Sequence, residues 1–154
     1  MLKAADRAEL IARYRDGYSA VSDSLDGITE EELDSGVDGE WTPREIVHHL
    51  ADAEIIGAER IRRLLAEQEP QIMAYDEKAF AQLAMRRPIE PSLLALQGAR
   101  ESTVQLLERM TDDDWKRAGT HSERGRYTAE DWLTVYAGHA HDHADQIRRA
   151  RGRA

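Results

Sequence analysis

No cysteine occurs anywhere in the 154 residues. That absence excludes a disulfide framework, a thiolate nucleophile and a cysteine metal site, so any bound ion must be held by nitrogen and oxygen. Phenylalanine occurs once and proline four times, at Pro43, Pro70, Pro88 and Pro91. Runs of alternating β-branched residues, the usual mark of strands, are missing. No apolar stretch approaches the roughly 20 residues of a membrane-spanning helix. The opening "MLKAADRAEL" has no apolar core of a secretory signal, so a cytoplasmic location is expected. Basic residues are also in short supply, 21 Lys and Arg against 30 Asp and Glu, for a formal charge of −9. An acidic chain of this kind is a poor ligand for polyanions, and neither a nucleic acid nor a membrane is expected as partner.

What the chain does contain is helical periodicity. Apolar residues recur at helical spacing in four segments. The first carries Leu10, Ile11, Tyr14, Tyr18, Val21 and Leu25; the second Ile46, Leu50, Ala53, Gly57, Ile61 and Leu64. The third follows Pro91 with Leu93, Leu96, Thr103, Leu107 and Met110, and the fourth has Trp132, Leu133, Tyr136, Ala140, His143 and Ile147. Two starts are well marked: "WTPRE" offers Thr42 as cap, Pro43 in the first turn and Glu45 for a capping box, and "YTAED" repeats the device with Thr128 and Asp131. Each is preceded by an acidic turn, "ITEEEL" and "MTDDDW", which makes a weak internal duplication. Residues 67–92 form a longer connection. The expected architecture is all-α, a four-helix bundle with one long crossover, in a single domain over 1–154.

Six histidines are present, three of them in "AGHAHDHADQI". A helix turns about 100° per residue. With His139 at zero, His143 lies at about 40° and Tyr136 at about 60°, on the flank of the apolar stripe, whereas His141 at about 200° points to solvent. On the second segment His49 lies within about 40–60° of Ala53 and Ile46, and His48 faces away. His49, His139 and His143 are therefore the inward candidates, and His48, His121 and His141 are expected at the surface. A histidine pair one turn apart can chelate one ion, and a third imidazole from a facing helix leaves a position open for water or substrate. Gln146, at about −20°, is placed to support a ligand from behind. "HAHDH" lacks a residue of the H-x-H-x-D-H loop and sits in helix. "EIVH" has no second Glu-x-x-His partner, which argues against a di-iron centre.

In "WTPREIVHHLADAE", "AYDEKAFAQL" and "YAGHAHDHADQI" the chain resembles the DinB family and, within it, the YfiT-like group of metal-dependent hydrolases. The resemblance implies a four-helix bundle and a divalent ion, zinc or nickel, on His49, His139 and His143. Gly138 stands where the family often has an aromatic residue, and Phe80 closes a segment that often ends in tryptophan. Some relatives transfer low-molecular-weight thiols, and many form homodimers. The expected function is thus metal-dependent chemistry on a small molecule, with the ion activating water or a thiol. A metal- or ligand-binding stress protein without turnover is the alternative, and a plain interaction module with core histidines is a third. Tyr75, Asp76 and Lys78 have two readings, part of the mouth of the site or an ordinary solvated turn. The three tryptophans, Trp41, Trp115 and Trp132, are read as core or staple residues. Arg148, Arg149, Arg151 and Arg153 are read as a solvated helix end suited to the negative pole of the helix dipole.

Overall fold

A computed structural model describes residues 2–83 and 86–152 of the chain. Four long helices dominate: α1 (Ala4–Ser24), α3 (Pro43–Ala66), α5 (Glu90–Leu107) and α7 (Ala129–Ala150). Between them lie the short helices α2 (Glu30–Leu33), α4 (Glu77–Ala81) and α6 (Asp112–Lys116). The four-helix bundle expected from periodicity is present. α1 packs against α7 and α5, and α3 against the same two, so the order around the bundle is α1, α7, α3, α5. This arrangement puts α3 directly beside α7.

The duplicated pattern has a physical counterpart. Thr29, Thr42, Thr111 and Thr128 each accept from the backbone N–H three residues on, while Glu32, Glu45, Asp114 and Asp131 accept from the capping residue's own N–H. Four capping boxes thus satisfy donors that a helix start leaves unpaired. They fix where α3 and α7 begin, and hence which residues face inward.

Three short strands depart from the sequence reading: β1 (Gln71–Ile72), β2 (Ala118–His121) and β3 (Gly125–Thr128). β1 runs parallel to β2 with Ile72 opposite His121, and β2 pairs antiparallel with β3 with Gly119 opposite Tyr127. At two to four residues they are too short for alternation to register, and "AGTH" has little strand propensity. Gly119 permits the pairing, since a Cβ there would lie 2.3 Å from the Pro70 carbonyl oxygen. Because of this sheet the long connection, residues 67–89, is anchored across one end of the bundle.

Two apolar clusters fill the interior. One gathers Tyr14, Ile61, Leu64, Trp115, Trp132 and Leu133; the other Val21, Ile46, Leu50, Leu96, Ala144 and Ile147. Three helices are also tied by a buried polar network. Tyr14 Oη donates to Glu54 Oε1, Arg100 Nη2 donates to Glu54 Oε2 at 2.6 Å, and Arg100 Nη1 donates to the Tyr14 carbonyl. Burial pushes the Glu54 carboxyl up from its ordinary range, against the opposing charge of Arg100. At the other end, Arg151 is not the solvated residue the sequence suggested. Its side chain is 1% exposed and folds back to the Ser24 carbonyl at 2.6 Å and to Glu32. Arg153 lies outside the described residues.

α3 and α7 pack tightly at Gly57. Trp132 Nε1 donates to the Gly57 carbonyl at 2.8 Å, and a Cβ on Gly57 would lie 2.3 Å from Tyr136 Cε1. Gly57→Ala is therefore expected to cost about 1–3 kcal/mol in urea unfolding, the usual range for overpacking. Combined with Tyr136→Ala, which vacates the space, the loss should be clearly less than the sum of the two single changes.

Candidate metal centre

His49 lies in the second turn of α3, buried at 2% exposure, and His139 and His143 lie one turn apart on α7. The structure brings these three together: each offers a ring nitrogen, and the three nitrogens lie within 4.8 Å of one another. His49 Nε2 is 3.2 Å from His139 Nε2. Two nitrogens held at about 2.0–2.1 Å from one tetrahedral ion would stand about 3.3–3.4 Å apart, so the spacing fits a shared ion.

The rings are held from behind. His143 Nδ1 donates to Gln146 Oε1 at 2.9 Å, which leaves its Nε2 lone pair free to face the cluster. Trp41 closes the other side, its ring centroid 4.6 Å from that of His49 and 6.2 Å from that of His143, nearly parallel to the latter. His49 Nδ1 is buried with no hydrogen-bond partner, so packing against Trp41 rather than an acceptor orients that ring.

Electrostatics favour neutral imidazoles. Burial drives His49 down to about 4, helped by the neighbouring His143. His139 falls to about 3, by burial first and then by His143, His49 and Arg100. His143 is also lowered by burial, opposed by its bond to Gln146. Rings that stay neutral well below pH 7 keep the lone pairs that a cation needs. The residues present therefore fit a divalent ion.

Beside the cluster opens a cavity of about 300 Å³, with His139 and Tyr136 in one wall and Arg60, Tyr75, His121 and Tyr127 in the others. The crossover segment divides in its roles. Tyr75 lines the cavity, with Phe80 edge-on at 5.0 Å, whereas Asp76 caps α4 by accepting from Ala79 N at 3.0 Å and Lys78 is exposed.

Two of the three histidines expected at the surface are buried. His48, 2% exposed, accepts at Nδ1 from Ser92 Oγ at 2.7 Å and reaches the Arg87 carbonyl with Nε2 at 3.3 Å. α5 covers that flank of α3, so α3 has two buried faces where the helical wheel assumed one. His121, 6% exposed, is enclosed by the hairpin that periodicity could not reveal. His141 is partly exposed and bonds the Arg13 carbonyl at 2.8 Å. Trp41, read as a core or staple residue, packs against the apolar cluster around Ile46 and also flanks the histidines. Arg60 was missed, although it lies eleven residues after His49, within about 20° of it on the helical wheel.

The chain matches the DinB superfamily over residues 6–147. It is 35% identical over 128 residues to the "Putative metal-dependent hydrolase YfiT" of Bacillus subtilis, covering 80% of this chain and 72% of that protein. It is 34% identical over 158 residues to a "Putative metal-dependent hydrolase" of Geobacillus thermodenitrificans, covering 98% and 87% respectively. The solved structure of YfiT from Bacillus subtilis, described as having an unusual four-helix bundle topology, superposes with a TM-score of 0.93 at 29% identity, covering 99% of this chain and 90% of that one. A mycothiol-dependent maleylpyruvate isomerase shares the fold at a TM-score of 0.74 and 16% identity, over 96% of this chain and 63% of that one. With its bundle, its three clustered histidines and these matches, the chain belongs to the DinB superfamily. Among the described residues no helix is long and apolar enough to cross a membrane.

The lowered imidazoles have a consequence for the metal-free protein. Unfolded, His49 and His139 titrate near the ordinary value of about 6.5; folded, near 4 and 3. The unfolded chain binds the extra protons. Their contribution to stability is therefore complete above about pH 6.5 and is lost as the pH falls from there to the folded values, by up to about 1.4 kcal/mol per pH unit for each group. Urea unfolding of chelator-treated protein between pH 7.5 and 4 should show this fall, and His139→Gln should flatten it.

Proposed function

We propose that the chain works as one four-helix-bundle domain that holds a divalent ion on His49, His139 and His143 and acts on a small molecule. The observation that carries this reading is the convergence of three neutral imidazoles, within 4.8 Å, one of which, His139, lines a polar cavity. When bound, the ion supplies Lewis acidity that lowers the pKa of a water or a thiol. The chain's own residues do the rest. Gln146 and Trp41 orient the ligating rings, and the cavity receives the substrate.

An open polar cavity beside the cluster favours an enzyme over a protein that only stores a metal, which would have no need of one. Hydrolysis follows the naming of the relatives. Transfer of a low-molecular-weight thiol is the second form of the same chemistry, and with no cysteine in the chain its sulfur must come from a free thiol. Nitrogen ligation suits zinc or nickel. The proposed setting is the cytoplasm. A homodimer is part of the proposal: Ile55 and Leu94, 51% and 69% exposed, lie on α3 and α5, which pack together. Sedimentation of the purified protein should give twice the chain mass.

Elemental analysis of the wild type beside His49→Ala and His143→Ala tests the centre. About one divalent ion per chain is expected, lost in both variants. Chelation should lower the wild-type melting temperature and leave the variants unmoved, because an ion at 100 times its Kd contributes about 2.7 kcal/mol. No metal in any sample after soaking with zinc or nickel would make these core histidines.

A further inference from the structure

Among the described residues five arginine side chains are about nine-tenths or more buried, and four of them have a carboxylate within 4 Å. Arg7 pairs with Asp112 and Glu130, Arg44 with Glu30 and Asp34, Arg100 with Glu54, and Arg151 with Glu32. Arg60, 9% exposed, is the exception: among the described residues it meets no carboxylate. Its Nη2 donates to the Met73 carbonyl and its Nη1 approaches Tyr136 Oη at 3.5 Å, which leaves much of a five-donor fork unused. A buried cation without a counter-ion is costly, and chains rarely keep one without a use for it.

Arg60 sits in the wall of the cavity that His139 also lines, and the groups facing it are of one kind. His121 Nδ1 accepts from the Glu123 backbone N–H at 3.2 Å, so the neutral ring carries its proton on Nε2 as a donor. Tyr127 Oη has no protein partner among the described residues, and Tyr75 Oη is buried without one. Each of these three side chains lies within the field of Arg60. The inner wall is thus a guanidinium with three further hydrogen-bond donors and no acidic group. Glu77 and Glu123 line the cavity only from exposed positions.

We infer that this wall is the specificity element of the site, and that it takes the carboxylate of a small anionic substrate on Arg60, with His121, Tyr127 and Tyr75 donating to the same oxygens. A planar fork matches a carboxylate, and donors left unpaired by a neutral analogue enforce the choice. A cavity of about 300 Å³ confines the substrate to a compact molecule whose other end reaches the histidine cluster. This rests on the cavity being the substrate site of the proposed metal centre.

The test is calorimetric titration of the metal-loaded protein with succinate, succinamide and inorganic phosphate, for wild type, Arg60→Gln, Arg60→Lys and Tyr127→Phe. Succinate should bind wild type, and about tenfold or more weakly to Arg60→Gln, the loss expected for a hydrogen bond to a charged group. Arg60→Lys should fall between, Tyr127→Phe should weaken binding a few-fold, and succinamide should bind none of them detectably. Equal succinate affinity in wild type and Arg60→Gln, or equal affinity for succinamide, would overturn the inference. Phosphate binding more tightly than succinate would overturn the carboxylate assignment. If Arg60→Gln does not fold, Arg60→Lys and Tyr127→Phe carry the comparison. Metal content should match wild type in all three variants. Succinate binding that depends on Arg60 in a protein that takes up no metal would sink the metal reading and leave the anion site standing.

Discussion

The contact on which the site depends is the interlock of Trp132 and Tyr136 with Gly57. The Trp132 indole is bonded to the Gly57 carbonyl, and the Tyr136 ring occupies the space a side chain would have filled. Together they fix both the separation of α3 from α7 and the rotation of each about its axis. Once that phase is set, His139 and His143 face His49, and Tyr136 faces Arg60. A rotation of one residue, about 100°, would carry the histidines out of the cluster. The capping boxes at Thr42 and Thr128 act in the same sense, since each fixes the residue at which its helix starts.

The two halves of the site are built on different physics. The histidine cluster lies between helices whose mutual position is set by close packing, and burial keeps its rings neutral. The donor wall is assembled from a helix, a crossover and a hairpin, and its members are a guanidinium, a neutral imidazole and two phenols. One half suits a cation and the other an anion, separated by the width of a small cavity. On the proposed reading, a molecule that bridges them would be bound at one end by charge and presented at the other to a Lewis acid. That division of labour directs binding energy at orientation.

How much of this was legible in the sequence depended on whether a residue's surroundings are local. The four helices and the caps at Thr42 and Thr128 were readable because periodicity and capping act within a few residues. The convergence of His49, His139 and His143 was readable because a helical wheel fixes direction, and the structure brings together the same three. His48 was misplaced because its burial comes from α5, a partner remote in sequence. His121 and Tyr127 were invisible as site residues because they reach the cavity through a hairpin of four-residue strands. Arg60 shared the inward face of α3 with His49, and a charge on that face was the available sign that the interior there is not all core.

The buried pair of Glu54 and Arg100, each 1% exposed and joined with Tyr14, constrains how this chain can change over generations. Losing either charge alone strands the other in a medium that cannot solvate it, a penalty of about 3–5 kcal/mol, which is most of the margin of an ordinary protein. Replacing both by apolar residues of similar volume can be neutral. The intermediate between two acceptable sequences is therefore itself unfit. The pair is heritable as a unit, so descendants of this bundle should carry both partners or neither.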